Sequence, residues 1–165
     1  MSIRQSEPWP GSPDSWPERV RREGNRIRSA FRVRYAETDQ MGVAYYANYL
    51  VWFEVLRGDF MRAIQLPYTE LESLGYFLPI AEVAVRYHAP ARYDDVLETT
   101  AWLRGVRSRL IHFAYRIERS GQLIATGHTT HVPVGSNGIP RRLSGELIAR
   151  LAVLVDTVAE AGRLD

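Results

Sequence analysis

Tyr35-Ala-Glu-Thr-Asp39-Gln-Met-Gly42-Val43-Ala-Tyr45-Tyr46-Ala-Asn48-Tyr49 is the stretch on which the reading of this chain turns. Just before it, Phe31, Val33 and Tyr35 alternate with Arg32 and Arg34, the period of a half-buried strand. After it, Tyr49, Trp52, Phe53, Leu56, Phe60 and Ile64 recur at the three-and-four spacing of a helix with one apolar face. The stretch therefore reads as a strand-to-helix loop with Asp39 at its bend. Gly42 allows a tight turn or a close approach to a ligand. The helix, opening near residues 46–48, points unpaired backbone N–H groups back over that loop. A carboxylate thus faces a ready-made anion site.

A chain of 165 residues with 45% apolar composition can bury one core, and no run of it is long and apolar enough to span a bilayer. The N-terminus shows no apolar signal-peptide core, and the expected location is cytoplasmic. With no cysteine, disulfides, thiol nucleophiles and Cys-ligated metals are excluded. The net charge of +2 is unevenly spread: residues 1–34 hold 8 Arg against 4 acids, and the remainder 13 Arg against 15 acids. The domain proper is mildly acidic, so a nucleic-acid partner is not expected. All 21 basic residues are Arg, and without Lys there is no Schiff-base chemistry.

Residues 1–26, with Pro8, Pro10, Pro13, Pro17 and a cluster of arginines, read as an irregular extension, and residues 27–165 as the domain. Trp9 and Trp16 suggest that the extension packs on the domain or on a neighbouring subunit. The helix is expected from about Asn48 to Gln65, ended by Pro67. A short helical turn is expected over Tyr68–Leu74, followed by strands over Tyr76–Tyr87, Val96–Arg107, Arg109–Arg119 and Gln122–Val134. Ser120-Gly121 marks the last hairpin. Ser144 caps a final helix whose stripe of Leu147, Ile148, Leu151, Leu154, Val155 and Val158 must cover this sheet or another subunit. Hairpin-linked strands imply an antiparallel sheet with the long helix on one face, an α+β arrangement.

Tyr-x-x-Thr-Asp-x-x-Gly-Val-x-Tyr-Tyr-x-Asn-Tyr resembles the signature of the hotdog-fold acyl-CoA thioesterases of the 4-hydroxybenzoyl-CoA thioesterase type, including their Tol-Pal-associated branch. Tyr87-His88-Ala89-Pro90-Ala91-Arg92-Tyr93-Asp94-Asp95 resembles the Ala-Pro-Ala-Arg turn of the same family. The resemblance covers roughly Arg28 to Arg142. It implies a single hotdog fold, a long central helix wrapped by an antiparallel sheet, with a C-terminal helix added. It also implies subunits joined edge to edge as a homodimer or homotetramer with the active site between them.

By this resemblance Asp39 aligns with the catalytic aspartate. Tyr46 stands where a backbone N–H contacts the thioester oxygen, and Gly42 is the permissive turn. Tyr35, Val43, Asn48, Tyr49 and Arg92 are candidate substrate contacts, Arg92 for the coenzyme A phosphates. The Tol-Pal branch usually has His where Tyr46 stands; the aromatic-CoA enzyme has Tyr. Glu54, on the helix, is the runner-up carboxylate, with an ion pair to an arginine as its plainer role. His128 and His131, three apart on a strand, point to opposite faces, so neither a metal nor a cofactor is expected. Two other classes fit the same residues: a hotdog module that binds acyl-CoA without turnover, and an envelope-associated scaffold that uses the N-terminal extension.

Overall fold

The computed structural model describes residues 20–156; Trp9, Trp16 and Val158 lie outside them. The chain runs β1 (Arg21–Glu23), β2 (Arg26–Arg32), a single 3-10 turn (Tyr35–Glu37), α1 (Asn48–Ala63), α2 (Tyr68–Ser73) and β3 (Ile80–Tyr87). It continues through β4 (Val96–Arg107), β5 (Leu110–Arg119), β6 (Gln122–His131) and α3 (Gly145–Ala152). The strands form one six-stranded sheet in the order β1-β2-β4-β5-β6-β3, every neighbouring pair antiparallel. This is the helix-wrapped sheet that the motif resemblance implies. No helix among the described residues is long and apolar enough to cross a membrane.

Three local signals act as expected. Ser120 and Gly121 both take positive φ, 49° and 79°, the geometry of a tight hairpin turn, and join β5 to β6. Pro67 follows the end of α1, and Ser144 caps α3 by accepting the Leu147 N–H at 3.2 Å. The stripe on α3 covers this chain's own sheet: Leu147, Leu151 and Leu154 join the main core, and Asp156 N–H donates to the Leu103 carbonyl at 2.9 Å. Arg26 closes that contact with a 2.6 Å bond to Asp156.

Two expectations are corrected. The sheet begins earlier than the alternation of Phe31 and Val33 indicates, because Gly24, at φ 61°, turns Arg21–Glu23 back onto β2. Tyr35 is not a strand residue. The ladder stops after Val33, which exchanges bonds with Asp94 and Asp95, and Tyr35 is thrown outward, 78% exposed, on the 3-10 turn. At the other end, Phe77 and Val134 pair as an isolated bridge, with Pro79 and Pro133 outside the regular ladders.

The core lies between α1 and one sheet face. Phe53 stacks on Tyr115 with ring centroids 4.4 Å apart, Phe60 meets Phe113 edge-on at 5.5 Å, and Trp52 meets Phe31 at 5.2 Å. The helix approaches so closely that a side chain at Gly127 would strike the Phe53 ring, and the Ala84 carbonyl oxygen at 2.6 Å. Inside this apolar layer lies a polar chain. Arg57 Nε donates to the Tyr68 hydroxyl at 2.7 Å, while Tyr115 shares a hydrogen bond with Thr129. His131 bonds Thr129 at 2.9 Å and the Leu78 carbonyl at 3.0 Å. Burial pushes the Tyr68 hydroxyl up to about 12 and holds the His131 imidazole down to about 4. His128 points to the other face, 3.9 Å from Glu82.

Two tests follow from the core. Gly127→Ala should destabilise by about 1–3 kcal/mol through overpacking, read from urea midpoints. His131 is kept neutral in the fold while an unfolded imidazole takes up a proton near its ordinary pH of 6.5. Stability must therefore fall as pH drops from 6.5 toward 4. Between pH 7 and 5 the loss should be about 2 kcal/mol, and it should flatten in His131→Gln.

Candidate active site

The loop from Thr38 to Ala47 is held from three sides. Its two arms pair through a bridge between Thr38 and Ala44, with Asp39 N–H donating to Val43 and Gly42 N–H donating to the Asp39 carbonyl at 2.9 Å. Gly42 takes φ 70°, so the tight turn expected there is formed. The second sequence block lies against the first: Ala44 N–H donates to the Ala91 carbonyl at 2.8 Å, and Arg92 reaches the Gly42 carbonyl at 3.3 Å. That turn is itself fixed by Asp95, whose carboxylate accepts from Arg92 N–H at 2.7 Å and from Arg119.

Under the loop sits a group that sequence reasoning missed. Glu37 is buried, and its carboxylate accepts from Trp52 Nε1 at 3.0 Å, from the Arg34 guanidinium at 2.8 Å and from the Arg34 N–H at 2.7 Å. Burial alone would raise its pKa; the bonds from Arg34 and Trp52 outweigh it and hold the carboxyl below the usual range. Its backbone carbonyl accepts the Tyr45 N–H and the Asn48 side-chain amide, the latter at 2.7 Å. Asn48 is thus occupied in tying the helix start to the loop. The available signal was Arg34 and Glu37 spaced three apart just before the Asp39 motif, but an acid in a loop gives no sign of burial.

Asp39 stands half-buried at the bend, with Oδ1 accepting the Met41 N–H at 2.8 Å. Its charge is felt by Tyr45, whose hydroxyl is held above its ordinary range first by the neighbouring Tyr46 phenol, then by slight burial and Asp39. Helix α1 starts without a side-chain cap and with no acid in its first turn. Asn48 N–H bonds Tyr45 and Leu50 N–H bonds Ala47. The N–H groups of Tyr46 and Ala47 donate to no acceptor among the described residues. Such groups carry the positive end of the helix dipole, a place for negative charge.

The other candidates divide. Tyr46 is 62% exposed beside Tyr45, with Met41 and Val43 on the same loop. Tyr35 is exposed and meets Tyr93 edge-on at 5.6 Å. Tyr49 is buried, packed against Trp52 and Tyr87, and so belongs to the core. Glu54 is exposed on α1, without an ion pair among the described residues, about 12 Å along the axis from Tyr46 at 1.5 Å per residue. Among the described residues no three acidic or histidine side chains converge as metal ligands.

Sheet, central helix and loop together define a hotdog-fold protein. The chain belongs to the thioesterase-like superfamily, whose family model matches residues 33–158. It is 33% identical over 91 residues to the acyl-CoA thioester hydrolase YbgC of Escherichia coli O6:H1, covering 55% of this chain and 68% of YbgC. A hypothetical protein of Thermus thermophilus, TT1821, superposes with a TM-score of 0.73 at 38% identity, covering 78% of this chain and 97% of that one. The DHNA-CoA thioesterase of Staphylococcus aureus superposes with a TM-score of 0.67 at 30% identity, covering 70% and 79%.

If Glu37 holds the loop to the helix, Glu37→Gln should lower stability by about 1–3 kcal/mol and shift Trp52 emission, measured by chemical denaturation followed by fluorescence. A variant as stable as the parent with unchanged emission would refute that role.

Proposed function

We propose that the protein hydrolyses acyl-CoA thioesters to the free carboxylic acid and coenzyme A. The family and the names of the relatives support an acyl-CoA thioesterase. The observation that carries the mechanism is the uncapped head of α1 lying on the same short loop as Asp39.

In this reading the thioester carbonyl oxygen rests on the Tyr46 N–H, where negative charge develops as the carbonyl carbon becomes tetrahedral. One such donor contributes about 2.7–4 kcal/mol. Asp39 acts in one of two ways. As a nucleophile it attacks the carbonyl carbon, the C–S bond breaks, coenzyme A departs as thiolate, and water cleaves the resulting anhydride. As a general base it takes a proton from the attacking water, and the departing sulfur is protonated. Either route consumes one water and yields one acid and one thiol. Gly42 allows the loop to approach, Tyr46, Val43 and Tyr35 border the acyl group, and Arg92, whose guanidinium has no acid partner among the described residues, suits a phosphate of the coenzyme.

The loop lies open, and a second copy of the chain is the natural cover. Among the described residues strand β3 is an outer rim of the sheet, and Val51 and Val55 leave an apolar face of α1 in solvent. Pairing through that rim would place two sites between two subunits, as a homodimer or as half of a homotetramer.

The test is Asp39→Asn. The amide oxygen can still accept the Met41 N–H, so the loop keeps its shape. Turnover of an acyl-CoA panel, followed as free thiol with DTNB, should fall about 10²–10⁴-fold or more, with the melting temperature unchanged. Full activity in this variant would overturn the assignment, and coenzyme binding by the parent without thiol release would point to a binding module instead.

A further inference from the structure

Resting on that reading, we propose that Tyr87 is a positioning residue that aims a second oxyanion donor, the backbone N–H of Ala47. Its hydroxyl donates to the carbonyl oxygen of Tyr46 at 3.0 Å, across 41 residues of sequence. Strand β3 ends at Tyr87, so its phenol ties this end of the sheet to the helix start.

In a regular helix the Tyr46 carbonyl would accept the Leu50 N–H. Here Leu50 N–H turns to Ala47 instead, at 3.1 Å, and Asn48 N–H to Tyr45, at 2.9 Å. The first turn is wound tighter than the rest of α1, and the Tyr46 carbonyl is released from the ladder to Tyr87.

Peptide planarity gives this bond its consequence. The carbonyl of Tyr46 and the N–H of Ala47 belong to one rigid unit and point in opposite directions. Holding the oxygen at Tyr87 therefore sets the direction of the Ala47 N–H. The preceding unit is fixed in the same way, its Tyr45 carbonyl held by Asn48 while its Tyr46 N–H is left over. Two adjacent peptide planes are thus each clamped at the oxygen end and open at the nitrogen end. Two such donors on one turn can share a single anionic oxygen.

The ring of Tyr87 has its own anchor, an edge-on contact at 4.9 Å with buried Tyr49. Tyr87 is 47% exposed, so removing its hydroxyl opens no cavity in the core. Packing and hydrogen bonding can therefore be separated by substitution.

The experiment compares Tyr87→Phe and Tyr87→Leu with the parent. Tyr87→Phe keeps the ring on Tyr49 and loses only the donor. It should lower kcat by about tenfold or more, short of the 10²–10³-fold seen when an oxyanion donor is deleted, with KM and melting temperature unchanged. Tyr87→Leu should lose stability as well. The carbonyl ¹³C resonance of Tyr46 should move upfield in Tyr87→Phe, read without substrate. Parental kcat in Tyr87→Phe, or an unmoved Tyr46 carbonyl resonance, would overturn the proposal. Should Asp39→Asn retain turnover, the role of Asp39 falls while the kcat of Tyr87→Phe still decides that of Tyr87. Should the parent hydrolyse no thioester, the proposed function falls, and the carbonyl resonance still decides whether the phenol holds the peptide.

Discussion

A carboxylate buried beneath a loop is the constraint from which the site is built. Removing Glu37 from water is unfavourable, and only the three bonds from Arg34 and Trp52 make its ionised form tolerable there. Those partners come from the strand side and from the helix, so the group ties together the two elements that flank the loop. Because its backbone carbonyl also receives Tyr45 and Asn48, the start of α1 is located relative to the same residue. The bend at Asp39 then has little freedom, closed at its base by the bridge between Thr38 and Ala44.

The core supplies the second half of the geometry. Gly127 lets the Phe53 ring lie against the sheet backbone, which sets the distance of α1 from β6 and β3. That closeness brings the end of β3 within hydrogen-bond reach of the helix head. The polar chain from Arg57 to His131 runs through the same layer at the far end of the helix. One nitrogen of Arg57 is buried without a hydrogen-bond partner among the described residues. Such a group forgoes stability, and here it sits away from the loop, among Tyr68, Tyr115 and His131.

The elements legible in the sequence were those with strong periodicity or a specific turn residue. The stripe from Tyr49 to Phe60 specified α1, Ser120-Gly121 the last hairpin, and Ser144 the cap of α3. Both motif blocks were recognised from the family resemblance, while their contact, Arg92 against Gly42, comes from the fold. What stayed hidden rests on long-range contact. Strand β1 has three residues, too few for alternation to register, and is recruited by β2. Tyr35 continues the alternation of Phe31 and Val33, but Glu37 captures the Arg34 N–H and turns the chain first. Tyr87 meets its partner 41 residues away, whereas Tyr49 faces inward as its place on the apolar helix face indicates.

The two rims of the sheet are unequal. One ends in β1, three residues long; the other is β3, eight residues long, with a break in register between Ile80 and Glu82. An irregularity of this kind twists the rim locally and spoils it as a template. Only the remainder offers a straight run of donors and acceptors, and a mate docking there antiparallel, about a two-fold axis, would exhaust both runs at once. The short opposite border offers little for a further strand to grip. Growth into stacked ribbons, the hazard of any uncovered sheet margin, is thereby starved of a second foothold.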